Sequence, residues 1–341
     1  MKMTPQKCRH ISGVLRSALV LACAAGMLAA GPELTDCTAQ EQAGSGDKPA
    51  TDKARFTDTH VHFFSCQNGS PGSSPSPGAS NPLDKVDEWM RANHVERCIN
   101  LPLAQSRPRD EAQRKAMLEN YAKYKGRIDR FCIIFPEEVT SVDEAVKILT
   151  REKQDGAIGF GEHYGVGLKF DDPNNMRLYE ACAKVGLPAL FHMDRNKNLD
   201  EKGLPRVQHV LKTYPNLILI AHSDWWKNLG DGTCDRLLKE YPNLYADISC
   251  TVGRSIIGRD KEFARAFFIR NADKLLFGTD SGWWSLGKDK KPAPEFSLMD
   301  ELHLPAEVMD KICRGNAERL FWGGKARSAA PPAGRADAAA A

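Results

Sequence analysis

The chain has 341 residues and is 42% hydrophobic, enough for a sizeable core, and its length fits one large α/β barrel or two ordinary domains. Its formal net charge is +3, from 47 basic and 44 acidic side chains interspersed along the sequence, which argues against a nucleic-acid-binding surface. A small molecule is the expected partner.

At the start, Lys2, Lys7, Arg9 and Arg16 precede an apolar run from Ser17 to Ala30 that ends in small residues. This is the pattern of a signal peptide over residues 1–30, too short for a comfortable membrane span. The expectation is an exported protein, periplasmic or secreted, with no stable membrane span in the mature chain. An uncleaved anchor is the competing reading. Val20-Leu21-Ala22-Cys23 loosely resembles a lipoprotein box, so lipid anchoring through Cys23 is a secondary reading. Residues 31–54 turn to Ala, Gln, Glu, Gly, Asp and Lys without periodicity and read as a disordered linker, because such a composition cannot bury enough apolar area to offset chain entropy. Residues 323–341 read as a disordered tail. One folded block, 55–322, lies between.

That block alternates. Short apolar strands are expected at Phe56–Phe64, Val95–Leu101, Arg130–Phe135, Gly156–Gly161, Leu187–His192, Leu217–His222, Leu244–Ser249 and Lys274–Asp280. Amphipathic helices are expected at Leu83–Asn93, Arg109–Lys125, Ser141–Lys153, Asn174–Val185, Pro205–Tyr214, Cys234–Glu240, Asp260–Asn271 and Pro305–Phe321. Apolar strands alternating with helices imply a parallel sheet covered on its faces, and eight units over about 270 residues match an α/β fold of the (β/α)8 TIM barrel type. An open doubly wound sheet is the rival, but no Gly-rich phosphate turn follows an early strand.

On this frame, His60 and His62 end the first strand, His192 the fifth, His222 the sixth and Asp280 the eighth. The two-residue spacing of His60 and His62 points both rings to one face. A barrel brings all five side chains to one rim, where burying them without a partner costs several kcal/mol and a divalent cation supplies that partner. Such a cation lowers the pKa of a bound water to about 7, which suits hydrolysis.

With His60-Val61-His62, the His192 and His222 strands, Phe277-Gly278-Thr279-Asp280 and the closing Gly315-Asn316-Ala317-Glu318-Arg319-Leu320 in order, the chain resembles the amidohydrolase superfamily, in its amidohydrolase-related (amidohydrolase 2) branch. That branch also holds aromatic-acid decarboxylases and lactonases. The resemblance implies a metal-dependent hydrolase cleaving an amide, ester or lactone of a small molecule, with His60, His62, His192 and Asp280 around the metal. Zinc is the first expectation and manganese the second, as one or two ions. Asp280 would take the proton from the attacking water, and His222 would either ligate a second metal or handle substrate and protons. The alternative is a metal-dependent decarboxylase of an aromatic or related carboxylic acid. A non-catalytic metal-dependent binding protein would need a missing ligand, and none of the expected ones is missing. A homo-oligomer is compatible with all these readings.

Glu162, at the end of the fourth strand, stands where binuclear members of the superfamily carry a bridging lysine or glutamate, and so marks a second metal position or an acid in water; its neighbour His163 reads as a rim residue. Trp225 and Trp283, with Trp226 and Trp284 beside them, would wall the pocket, while Arg195 and Arg254 would hold a substrate carboxylate. Asp194, Asp224 and Asp247 are candidates for orienting the ligands. The Ser/Gly/Pro-rich insertion Cys66–Asn81 reads as a lid or as disorder. The ten cysteines show no framework pattern, although export would permit disulfides involving Cys37, Cys66 or Cys234.

Overall fold

The computed structural model describes residues 56–64, 82–103, 107–108, 110–165, 167–194, 200–287 and 289–323. The expected signal peptide, linker and insertion, the tail beyond Gly323, and Cys23, Cys37, Cys66 and Arg195 lie outside the described residues.

The strands are β1 (Phe56–His62), β2 (Val95–Asn100), β3 (Ile128–Cys132), β4 (Ala157–His163), β5 (Ala189–Met193), β6 (Leu219–Ser223), β7 (Leu244–Asp247), β8 (Leu275–Leu276) and β9 (Ser281–Gly282). Every pairing is parallel, in the order β8-β7-β6-β5-β4-β3-β2-β1-β9. The segment 275–282 closes the ring: β8 pairs with β7 and β9 with β1. Between them Thr59 N donates to Phe277 O and Asp280 N to His60 O, both at 2.9 Å. The single eighth strand expected from the sequence is thus split in two. Asp280 takes a left-handed backbone, φ 54°, which interrupts the extended ladder. The result is the (β/α)8 barrel.

The helices covering the sheet are α1 (Pro82–Ala92), α2 (Glu111–Lys123), α3 (Val142–Gln154), α4 (Pro173–Val185), α5 (Pro205–Thr213) and α6 (Thr233–Glu240). After β7 come α7 (Cys250–Ile257) and α8 (Lys261–Arg270), and after β9 come α9 (Pro294–Glu301), α10 (Ala306–Asp310) and α11 (Asn316–Trp322). Their starts follow local chemistry. Asp110, Ser141 and Asp260 accept hydrogen bonds from the backbone N–H three residues on, while Pro173 and Pro205 sit at first helical positions. The helix expected at Pro305–Phe321 is α10 and α11 joined by a π-helical turn, Lys311–Gly315, whose Ile312 carbonyl accepts from Phe277 N at 3.0 Å.

Helices α7 and α9 are not foreseen. In α7 the sequence Cys-Thr-Val-Gly-Arg-Ser-Ile-Ile is rich in β-branched residues and contains glycine, all weak helix formers. Tertiary packing overrides that preference: a Cβ on Gly253 would stand 2.8 Å from the Trp226 ring, so the glycine is what lets α7 lie against the tryptophan.

Period-two alternation sets the barrel's inner layers. Leu190 lies two residues before His192, Ile220 two before His222 and Leu276 four before Asp280, so an apolar layer sits directly beneath the polar one. These three pack with Ile99, Phe131 and Ala317, with Leu320 and Phe321 of α11 against them. The histidines therefore stand on a dry floor.

Candidate metal centre

Strand β1 turns Asp58, His60 and His62 inward. Asp58 fastens it to the closing segment: Oδ1 accepts from His60 N at 3.0 Å and Thr279 N at 3.1 Å, and Oδ2 accepts from Thr279 Oγ1 at 2.6 Å. Burial raises the Asp58 carboxyl to about 7 against the opposing hydrogen bonds. The clamp sets Asp280 beside the two histidines, with its Oδ1 3.2 Å from His62 Nε2 and 3.8 Å from His60 Nε2.

Asp247, at the end of β7, orients two rings at once. Its Oδ2 accepts from His60 Nδ1 at 2.7 Å and its Oδ1 from His222 Nδ1 at 2.9 Å. Ser249 Oγ donates to the same Oδ1 at 2.9 Å. His62 Nδ1 donates to the Leu101 carbonyl at 2.8 Å, an oxygen that can only accept. With Nδ1 the donor in all three rings, each Nε2 of a neutral imidazole carries a lone pair, and all three are aimed into one space.

Glu162 completes that space. Its Oε2 is 3.4 Å from His62 Nε2 and 3.7 Å from His60 Nε2, and its Oε1 is 3.4 Å from His222 Nε2 and in contact with His192 Nδ1. Tyr164 donates its hydroxyl to Oε2 at 2.9 Å and stacks on the His192 ring. Gly161 makes the approach feasible: its φ of 135° is glycine territory, and a Cβ there would fall 2.4 Å from the Leu190 carbonyl oxygen. Burial pushes the Glu162 carboxyl up, but hydrogen bonds from His192, His60 and His62 outweigh it and hold the group well below the usual carboxylate range.

The cluster needs a cation. The Nε2 atoms of His60 and His62 are 3.1 Å apart, so two lone pairs would face each other, and His222 Nε2 is buried with no hydrogen-bond partner among the described residues. Burial lowers the pKa of His60 and His62, but the surrounding carboxylates, led by Asp247 for the first and Asp280 for the second, more than reverse it; the site demands positive charge. Donor atoms about 2.1 Å from a shared ion stand roughly 3–3.5 Å apart, close to the spacings seen here. Two overlapping groups meet that requirement, His60, His62 and Asp280 in one, and His60, Glu162 and His222 in the other.

A family model described as amidohydrolase matches residues 57–322. The chain belongs to the amidohydrolase family. No curated protein matches the sequence. Among solved structures, this amidohydrolase is similar to a probable 2-pyrone-4,6-dicarboxylic acid hydrolase from Acinetobacter baumannii with citric acid bound, at 13% identity and TM-score 0.54, covering 78% of this chain and 99% of that one. It is also similar to 5-carboxyvanillate decarboxylase from Sphingomonas paucimobilis, at 14% identity and TM-score 0.52, over 79% and 99% of the two chains. The decarboxylase of the same specificity from Novosphingobium aromaticivorans, complexed with manganese and 4-hydroxy-3-methoxy-5-nitrobenzoic acid, gives 14% identity and TM-score 0.52, over 80% and 97%. At these identities the likeness bears on the fold, and that fold is shared by hydrolases and decarboxylases.

Several expectations need correction in this amidohydrolase. Trp225 does not wall the pocket: it is fully buried, as is Trp226, whose Nε1 donates to Asp247 O at 2.9 Å. The 3-10 turn after β6 drives both rings into the apolar core, and the exposed aromatic beside the site is Trp284, its ring centroid 6.1 Å from that of His62. Trp283 is half-buried and stands edge-on to Trp284. His163 is no rim residue, since β4 alternation turns it away from Glu162 into the helical layer, where it bonds Asn175 at 3.1 Å. Asp224 pairs with Lys227 at 2.7 Å instead of orienting a histidine. Cys234 is a buried free thiol, as are the other five cysteines among the described residues. His192, expected at the metal, contacts Glu162 through Nδ1, and its ring centroid is 5.3 Å from that of His222, so it borders the same space. A cavity of about 580 Å3 lies against α2 and β3, and none of these histidines lines it.

Proposed function

We propose that this amidohydrolase hydrolyses an amide, ester or lactone bond of a small molecule with the help of one divalent cation, zinc or manganese. The observation that supports the reading most is the convergence of three oriented Nε2 atoms with two carboxylates in one buried space. His60, His62 and Asp280 would hold the ion, with Glu162 and His222 bordering it or holding a second. A bound cation would supply Lewis acidity, polarising the substrate carbonyl and making water acidic enough to act at neutral pH. Asp280 is the most accessible of the group, with its side chain 31% exposed, and its pKa is lowered because hydrogen bonding from His62 and the nearby histidine charges outweigh burial. It is ionised and free to accept the proton of an attacking water. His222 has Nδ1 fixed on Asp247, so Nε2 can hold a proton, with the imidazolium stabilised by the carboxylate behind it, and pass it to the leaving group. The barrel floor excludes water from below.

Decarboxylation of an aromatic acid is the second reading, favoured by Arg254 and Trp284 in a pocket with Asp280. A panel of esters, lactones, amides and aromatic acids on metal-loaded protein separates the two. Hydrolysis products support the first reading, and carbon dioxide released from an aromatic acid without water uptake replaces it with the second. We propose likewise that the protein is exported, which a mature chain starting between about residues 25 and 31 would support. Intact mass after native expression decides.

A further inference from the structure

Helix α2 lies on the barrel differently from the helices that follow it. The inward faces of α3, α4, α5 and α6 bury Leu149, Leu178, Val210 and Leu237, whereas the only buried residue of α2 is Arg114. Met117 and Tyr121 follow Arg114 on the same helical face, yet both stay half-buried. The ties that fix α2 are polar. Arg151 on α3 donates to Glu111 at 2.8 Å, Asn100 Nδ2 donates to the Tyr121 hydroxyl at 2.8 Å, and Arg114 bonds Glu152 and, through Nε at 3.1 Å, Asp155. What apolar packing leaves unfilled is the cavity of about 580 Å3, in the range of roughly 300–1,000 Å3 that small-molecule sites occupy.

Its lining decides what could enter. Met117 and Tyr121 face Ile148 of α3, with Ile134 beyond β3 and Phe64 beyond β1 completing the apolar wall. Phe64 and Ile148 are also half-buried, so an occupant would remove apolar surface from water on several sides at once. The charges among the described lining residues are already matched. Arg107 Nη1 donates to Glu138 Oε2 at 2.6 Å, Arg130 Nη1 donates to Glu152 Oε2 at 2.7 Å, and Arg114 is shared between Glu152 and Asp155. Burial pushes the Glu152 carboxyl up, but the two guanidiniums outweigh it and keep the group ionised. An entering anion would meet no cation that lacks a carboxylate, and would lose hydration without a counter-charge in return. A neutral oxygen fits instead: Arg114 commits three of its five N–H donors to carboxylates, and the uncharged amides of Gln113 and Asn120 stand at the helix edge of the cavity.

We propose that the cavity beneath α2 is a second small-molecule site, separate from the metal centre, for a neutral and mostly apolar molecule carrying a carbonyl or ether oxygen. Its body lies against Met117, Tyr121 and Ile148, and its oxygen accepts from the polar end without breaking an ion pair. The site is independent of whatever reaction the metal centre performs.

The test is fluorescence titration of prodan, a neutral naphthyl ketone, into the full-length protein, both metal-loaded and chelator-treated, beside the anionic anilinonaphthalene sulfonate. Prodan should bind saturably at one equivalent with a blue-shifted emission, equally well with and without metal. The sulfonate should bind on the order of tenfold or more weaker. Met117→Trp and Ile148→Trp each fill the cavity from a half-buried position, and each should weaken prodan by on the order of tenfold or more while the urea midpoint shows the chain folded. Phe263→Ala, which removes an exposed aromatic on α8, should leave prodan binding unchanged. In the wild type, hydrogen exchange should slow in α2 and α3 when prodan is bound, a readout that needs no variant. Absence of saturable binding, binding that ignores both tryptophan substitutions in folded protein, or protection falling outside α2 and α3 would overturn the site. Loss of prodan on chelation would move the probe to the metal centre and overturn it too, and sulfonate binding as tight as prodan would overturn the neutral class.

Discussion

Asp247 Oδ1 accepts the Nδ1 proton of His222 at 2.9 Å, deep in the barrel, while its other oxygen accepts that of His60 at 2.7 Å. One carboxylate therefore fixes the tautomer of two rings on different strands and turns both Nε2 atoms towards the same point. Burial favours the neutral acid, but the charges of His222 and His60 more than compensate and hold Asp247 below the usual carboxylate range. Asp247→Asn keeps the shape yet offers only one accepting atom, so one ring must lose its orientation. Metal affinity should fall roughly 10- to 100-fold, as for other partners that orient metal ligands. Competition against a metal-binding dye measures it, and unchanged affinity would remove Asp247 from this role.

His222 and Asp280 should separate in their effects. His222→Asn should leave metal content nearly unchanged while lowering kcat and kcat/KM together by on the order of 10²–10⁴, as when proton transfer is lost. Asp280→Asn should abolish turnover even where metal is partly retained. Metal analysis beside kinetics on the two variants reads both. Loss of metal in His222→Asn would instead place that histidine among the ligands and point to two ions.

Glu295 predicts a pH dependence of stability. Its carboxyl is raised from 4.5 to about 7, chiefly by burial. The folded chain thus binds more protons than the unfolded one between those values, and stability falls as pH rises through that window. The loss is up to about 3 kcal/mol, fully felt above about pH 7. Glu295→Gln should flatten this stretch of the curve. Urea unfolding across about pH 4.5 to 8 checks it, and identical slopes for the two proteins would refute the assignment.

What the sequence reveals of this protein depends on whether a residue's position follows from periodicity. His60, His62, His222 and Asp280 end apolar strands, so a barrel topology alone gathers them, and the structure brings them together in two overlapping groups. Asp247 is one of three aspartates the sequence offers for orienting the ligands, and its side-chain direction, which the end of β7 sets, singles it out. From the sequence Glu162 reads either as a second metal position or as an acid in water, because nothing local shows that Gly161 lets its carboxylate reach four histidines. Trp225 misled because aromatic residues after a strand can wall a pocket or fill the core, and the choice is made by the 3-10 turn that follows β6. Ser249 and Glu295 carried no local signal: each acquires its role from a partner on another element, Glu295 from one 41 residues away.

The central claim is that the oriented Nε2 atoms of His60 and His62, with Asp280, form a site for one divalent cation. Calorimetric titration of manganese or zinc into chelator-treated protein tests it without need of a substrate. The account predicts saturable binding with a break near one equivalent, proton release on binding near neutral pH, and loss of the site in His60→Asn. Absence of saturable binding, or binding of equal strength in His60→Asn, would contradict it.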